Sequence, residues 1–255
     1  AIPTLVSRFV AAFIIIKLLL KDKWSLHLER TYRFNPDWSM IRKILSVGIP
    51  NGLENSMFQL GKVLVLSLVS TFGTYAIAAN AVSNVITLFS ILPGQAICLA
   101  VTTVIARCVG AGDYEQAKYY NKKLILLTHI GMAITIFIVF ITLPFILKVY
   151  NLSEAASEAT RHIIWFHGFC AILIWAESFT LPATFRACGD AKACMIISTV
   201  SMWIFRVGAS YILGKNLGLG VFGVWVAMII DWAFRSLLFG IRYFSGKWKK
   251  HALVS

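Results

Sequence analysis

The chain has 255 residues, of which 58% are hydrophobic and only 14% charged, with a net charge of +13 and a mean hydropathy of +0.77. A soluble domain carries roughly 25% charge, so this composition excludes a water-soluble enzyme, a disordered chain and an ordinary nucleic-acid-binding module. Five cysteines without metal-ligand spacing indicate neither a disulfide scaffold nor a zinc site. The sequence opens on Ala1 with no signal-peptide pattern, and the expectation is a fragment or the end of a longer protein.

A membrane-spanning helix needs about 20 mostly apolar residues. Seven stretches approach that length: residues 1–20, 43–68, 75–107, 123–147, 161–185, 193–213 and 220–239. The second contains Pro50, the third Pro93 beside Gly94, and the fifth Pro182. Proline removes an intrahelical hydrogen bond, so each marks an expected kink. The fourth includes the run ITIFIVFITLPFIL, residues 134–147, which has almost no polar face. A soluble helix bundle needs polar outer faces, and a membrane β-barrel needs short alternating segments. Neither pattern occurs, so the predicted fold is an all-α integral membrane protein of about seven transmembrane helices. The polar connector at 21–42 and the tail at 245–255 separate this helical body from its flanks.

The basic residues set an orientation. With seven spans, loops on one side hold sixteen of the 24 Lys and Arg, loops on the other hold three, and five lie within spans. This asymmetry places the connector, the loops 107–123 and 186–192 and the tail in the cytoplasm, beside anionic lipid. It accounts for the net charge without nucleic acid, for which no base-reading motif is present.

Ionisable groups inside a span are costly and become functional candidates. Beyond the first span these are Glu54, Lys62, Glu177, Arg206, Asp231 and Arg235. Arg206 and Asp231 fall at similar depth on consecutive antiparallel spans, and Arg235 lies one turn beyond Asp231. The expected arrangement is an ion-pair network of Arg206, Asp231 and Arg235, with Lys62 nearby. Glu54 follows Pro50 in a polar stretch with Asn51, Asn55 and Gln59. A carboxyl there can bind a proton or sodium, attract a cationic substrate, or be neutralised by Lys62 or Arg235. Glu177 has less polar company and reads as structural. His129, His162 and His167 sit near span ends and read as interfacial. There is no nucleophile–base pair, HExxH or phosphate loop, so no enzymatic activity, resident metal or cofactor is expected.

Four stretches, 48–82, 91–118, 181–192 and 218–248, carry a family resemblance. GIPNGLENSMFQLGKVLVLSLVSTFGTYAIAANAV resembles the seventh span, and the turn after it, of multidrug and toxic compound extrusion (MATE) transporters. ILPGQAICLAVTTVIARCVGAGDYEQAK resembles the eighth span and its cytoplasmic end. LPATFRACGDAK resembles the turn after the tenth span, and GLGVFGVWVAMIIDWAFRSLLFGIRYFSGKW resembles the last span. The resemblance implies a two-lobed, twelve-span exporter of the plasma membrane. Residues 1–20 would end its sixth span, 21–42 form the cytoplasmic interlobe linker, 43–244 the C-terminal six-helix lobe and 245–255 a cytoplasmic tail. The N-terminal lobe would be the missing partner.

Members of that family exchange protons or sodium for organic cations and other amphiphiles. Some bind the coupling cation with carboxylates on spans seven and ten. Glu54 and Glu177 lie on the corresponding spans, although their spacing to the flanking motifs differs. The implied function is the C-terminal half of a cation-coupled multidrug antiporter. The alternatives are a lipid-linked saccharide flippase, which would want a cationic cavity, and a non-transporting membrane scaffold.

Overall fold

A computed structural model describes residues 2–20, 36–246 and 248. Residues 21–35 of the expected linker 21–42 and the tail lysines Lys247, Lys249 and Lys250 lie outside the described residues. Among the described residues there are helices and no strands. They fall into two compact units divided between Arg42 and Lys43. The first contains α1 (Ile2–Leu19), where Lys17 lies 4.8 Å over the ring of Phe13.

The helices that follow are α2 (Trp38–Ser70), α3 (Thr74–Gly110), α4 (Tyr114–Tyr150), α5 (Glu154–Trp175), α6 (Leu181–Ala187), α7 (Ala191–Ser201) and α8 (Gly220–Phe244). Three π-helical segments interrupt them: Ala176–Thr180 joins α5 to α6, while Met202–Gly208 and Tyr211–Asn216 continue α7. Five continuous helical stretches, Thr74–Gly110, Tyr114–Tyr150, Glu154–Ala187, Ala191–Asn216 and Gly220–Phe244, are long and apolar enough to span a membrane. The other two expected spans are also helical, as α1 and α2. In α2 the polar run from Asn51 to Lys62 dilutes the hydropathy.

Local chemistry sets the helix ends. Asp113 caps α4 by accepting a hydrogen bond from the Gln116 N–H at 2.8 Å, and Gly112 before it takes a φ of 75° that a side chain would resist. Ser153 caps α5 by accepting from Ala156 N. These caps lengthen α4 and α5 at their N-termini beyond the apolar stretches 123–147 and 161–185. The polar first turns are helical although they are not hydrophobic. The helix paths run through Pro50, Pro93 and Pro144. Pro182 instead stands at the start of α6, just past a π-helical segment, where a missing N–H is better tolerated.

Helix α4 shows how sequence becomes packing. Thr128, Met132, Ile136, Val139, Leu143 and Leu147 recur at helical spacing and are buried. Leu126, Ile130, Ile134, Phe137, Ile141 and Phe145 recur on the other side and are exposed. Water does not tolerate an apolar stripe of that extent, but lipid does. With the five spanning helices, this identifies a multi-pass membrane protein.

Inside, α3 packs on α4, α5 and α6, and α8 packs on α5 and on the π-helical segments. One core gathers Trp175, Trp225 and Trp232 with Leu68, Met132 and Ile163. A second gathers Val101, Ile105, Phe185 and Phe239. Buried Trp248 joins the second core, with its ring stacked 5.7 Å from Tyr243 and its indole N–H donating to the Tyr243 carbonyl at 3.1 Å.

Candidate functional site

The polar face of α2 carries the first part of the site. Glu54 is only 7% exposed, while Asn55 and Gln59 are exposed and Asn51 is half-buried. One Nη of Arg186 donates to both Glu54 oxygens, at 2.7 and 2.8 Å. This corrects both expected partners, since neither Lys62 nor Arg235 neutralises Glu54. Arg186 had been assigned to a cytoplasmic loop because the apolar stretch stops at Phe185. The helix runs to Ala187, and a long arginine side chain reaches back from the last turn to the carboxylate. Charge-assisted pairs of this kind are about twice as strong as neutral hydrogen bonds.

Glu177 has a partner that the sequence reading missed. His129 Nδ1 lies 2.7 Å from the carbonyl of Ile172, and its Nε2 lies 3.0 Å from Glu177 Oε1. A carbonyl can only accept, so Nδ1 carries a proton. The contact at Nε2 then needs a second proton, held either by the imidazole or by the carboxyl. His129 thus bridges the Ile172 carbonyl and the Glu177 carboxyl within a helix contact, and it is not simply an interfacial residue. Glu177 itself lies in the π-helical segment Ala176–Thr180, a feature frequent at functional sites. His167, by contrast, is buried edge-on between Trp225 and Trp232, at 5.5 and 5.2 Å, and serves packing.

Arg206 and Asp231 form the expected pair, with Nη1 to Oδ2 at 3.8 Å and Asp231 fully buried. Ser201 supplies the shorter contact, donating to Asp231 Oδ1 at 2.5 Å. The proposed triad does not close. Arg235 donates to the carbonyl of Ser178 at 3.1 Å and lies 4.6 Å over the ring of Phe179. Its one-turn spacing from Asp231 places both on one face, but the guanidinium turns towards the π-helical segment. Lys62 also stands apart, since no carboxylate lies within ion-pair distance of it among the described residues. Its ammonium lies 5.1 Å over Phe58, and Arg206 lies 5.3 Å over the same ring.

Lys62 and Arg206 help to wall a cavity of about 210 Å³, together with Asn80, Asn84, Trp225 and Met228. Elsewhere, Asp190 accepts two hydrogen bonds from Arg242, at 2.6 and 2.9 Å, and ties the start of α7 to the end of α8. Burial, and then the neighbouring Asp190, push the Cys188 thiol up to about 12. That thiol is therefore inert.

Comparison with known proteins places the chain in a family. The family model described as MatE matches residues 50–212. A probable multidrug resistance protein NorM of Thermotoga maritima is 27% identical over 256 residues, which is 100% of this chain and 54% of the relative. A probable multidrug resistance protein YoeA of Bacillus subtilis is 25% identical over 100% of this chain and 55% of the relative. The chain thus spans about half the length of the curated relatives it matches. The outward-facing structure of a multidrug resistance MATE family transporter of the MOP superfamily superposes with a TM-score of 0.85 at 19% identity, covering 97% of this chain and 56% of that one. A MOP superfamily transporter from Pyrococcus furiosus, described as having a binding pocket of reversed polarity, superposes at 0.81 with 19% identity, covering 93% of this chain and 54% of that one. Those two likenesses establish the fold, and the family match over residues 50–212 establishes more: the chain belongs to the MatE family.

Proposed function

We propose that this chain is the C-terminal lobe of a cation-coupled antiporter that exports organic cations and other amphiphiles by alternating access. In this reading residues 1–20 end the sixth span, 21–42 link the lobes in the cytoplasm, 43–244 form the lobe, and 245–255 are a cytoplasmic tail. The N-terminal lobe is its partner, and the basic loops face the cytoplasm. The multidrug-resistance names of the relatives support the substrate class.

The observation that carries the coupling role is the Glu54–Arg186 pair. A buried carboxylate with an arginine on it has two states that differ by one proton. Deprotonated, it holds α2 against the end of α6. Protonated, it loses the charge that attracts the guanidinium, and the two helices are freed to move. A proton suits this site better than sodium. The fixed charge of Arg186 opposes both cations, but sodium would also need several free oxygen ligands, whereas a proton needs only one carboxylate oxygen.

The test is transport in inside-out vesicles energised by a proton gradient, with ethidium as the organic cation. Glu54→Gln is expected to lower gradient-driven ethidium transport at least about tenfold, the scale set by one lost charge-assisted interaction, with unchanged protein in the membrane. Unchanged transport would remove Glu54 from the coupling path.

A further inference from the structure

The cavity beside Lys62 has a chemistry that the coupling site does not use. Two of its lining residues are cationic, Lys62 and Arg206, and no carboxylate lines it. Both cations lie over one ring, that of Phe58, at 5.1 and 5.3 Å. Like charges held this close repel each other. Asp231 lies 3.8 Å from Arg206 and offsets that cation alone, since no carboxylate lies within ion-pair distance of Lys62 among the described residues. Lys62 is also exposed on a helix of a membrane protein, and an exposed ammonium there is costly unless it meets water or an anion.

The remaining walls complete a binding site. Trp225 donates through its indole N–H to Asn80 Oδ1 at 3.2 Å. That bond fixes the orientation of the Asn80 amide, so its NH2 is a further donor at the wall. Trp225 and Met228 add apolar surface. A cavity of about 210 Å³ is smaller than the roughly 300–1,000 Å³ of a site enclosing a whole drug-sized molecule. It fits one headgroup with a ring or short chain.

We propose that this cavity is a subsite for the acidic group, carboxylate or phosphate, of an amphiphile, with Lys62 and Arg206 as its counter-charges and Trp225 and Met228 against its apolar part. As a substrate subsite it rests on the export reading above, and it adds anionic and zwitterionic amphiphiles to the organic cations.

The test is binding, which is read without transport. In phosphatidylcholine nanodiscs, 1-naphthaleneacetate is expected to bind the protein at least about tenfold more tightly than 1-naphthylmethylammonium, a compound of the same shape and opposite charge. Lys62→Gln is expected to weaken naphthaleneacetate binding about tenfold, the scale of one charge-assisted contact, and to leave the ammonium compound unchanged. Lys62→Glu reverses the preference. Because Lys62 is exposed, both variants should keep the wild-type unfolding temperature. Should Lys62→Glu fail to fold, Lys62→Gln carries the test alone. Equal binding of the two compounds by the wild type, or unchanged naphthaleneacetate binding by Lys62→Gln, would overturn the proposal. Adding phosphatidylglycerol separates the sources of the acidic group. Displacement of naphthaleneacetate assigns the site to a lipid phosphate, and persistence assigns it to a soluble carboxylate; both outcomes uphold an acidic-group subsite. Loss of driven efflux with this charge preference intact would sink the export reading and leave the subsite standing.

Discussion

Replacing Arg186 with alanine is expected to destabilise the detergent-solubilised protein by about 3 kcal/mol, the lower end of what breaking one side of a buried ion pair costs. The lower end applies because the Arg186 side chain is 25% exposed, against 9% for Glu54, and water reaches its outer face. The cost comes less from the lost attraction than from leaving the Glu54 carboxylate desolvated and alone. Adding Glu54→Gln to Arg186→Ala should therefore recover most of the loss, since a neutral amide tolerates burial better. Denaturation of the two single variants and the double variant measures this directly. If the two substitutions add, the residues are not coupled and the ion pair does not hold the helices.

Gly223→Ala is expected to cost about 2–3 kcal/mol, at the upper end of the range for overpacking a core. A Cβ at Gly223 would lie 2.8 Å from both the carbonyl carbon and oxygen of Leu213 and 2.9 Å from the nitrogen of Gly214. All three atoms are backbone, so no side-chain rotation relieves the clash. Only a shift of α8 away from the π-helical segment Tyr211–Asn216 would do so. Close backbone approach through small residues is a common way for helices to associate in lipid. Gly61→Ala makes the contrast. Its Cβ would meet the methyl carbon of Met202, but a methionine end is flexible and can turn aside, so the expected cost is about 1 kcal/mol, at the lower end of that range. Thermal unfolding of the two variants should separate them clearly, and equal losses would mean that helix approach at Gly223 is looser than described.

Much of the fold was legible because lipid imposes a simple demand. The apolar runs announced the helices, and the spacing of buried and exposed residues in α4 followed directly from its 3.6-residue period. The Arg206–Asp231 pair was legible for a similar reason, since consecutive antiparallel helices bring residues of equal depth together. The partner of Glu54 was not legible. Hydropathy ends the fifth apolar stretch at Phe185, one residue short of Arg186, so Arg186 falls outside the charges that hydropathy places inside the membrane. His129 was read by its position near the end of a span, and nothing in the sequence signals that its ring turns towards Glu177. The π-helical segments have no sequence signature either. One of them supplies the Ser178 carbonyl that takes Arg235 away from the expected triad. Periodicity thus gave the helix faces, while the aim of long charged side chains depended on irregular turns that periodicity does not encode.

The central claim is that Glu54 gains and loses a proton while Arg186 releases and recaptures it. Infrared difference spectroscopy of the purified protein across a pH titration reads this most directly. A protonated-carboxyl band should appear as pH falls, together with a shift of the arginine guanidinium band. Both changes should be absent in Glu54→Gln and indifferent to sodium. A Glu54 that stays ionised wherever the protein remains folded, or a carboxyl band that answers to sodium and not to pH, would contradict the account.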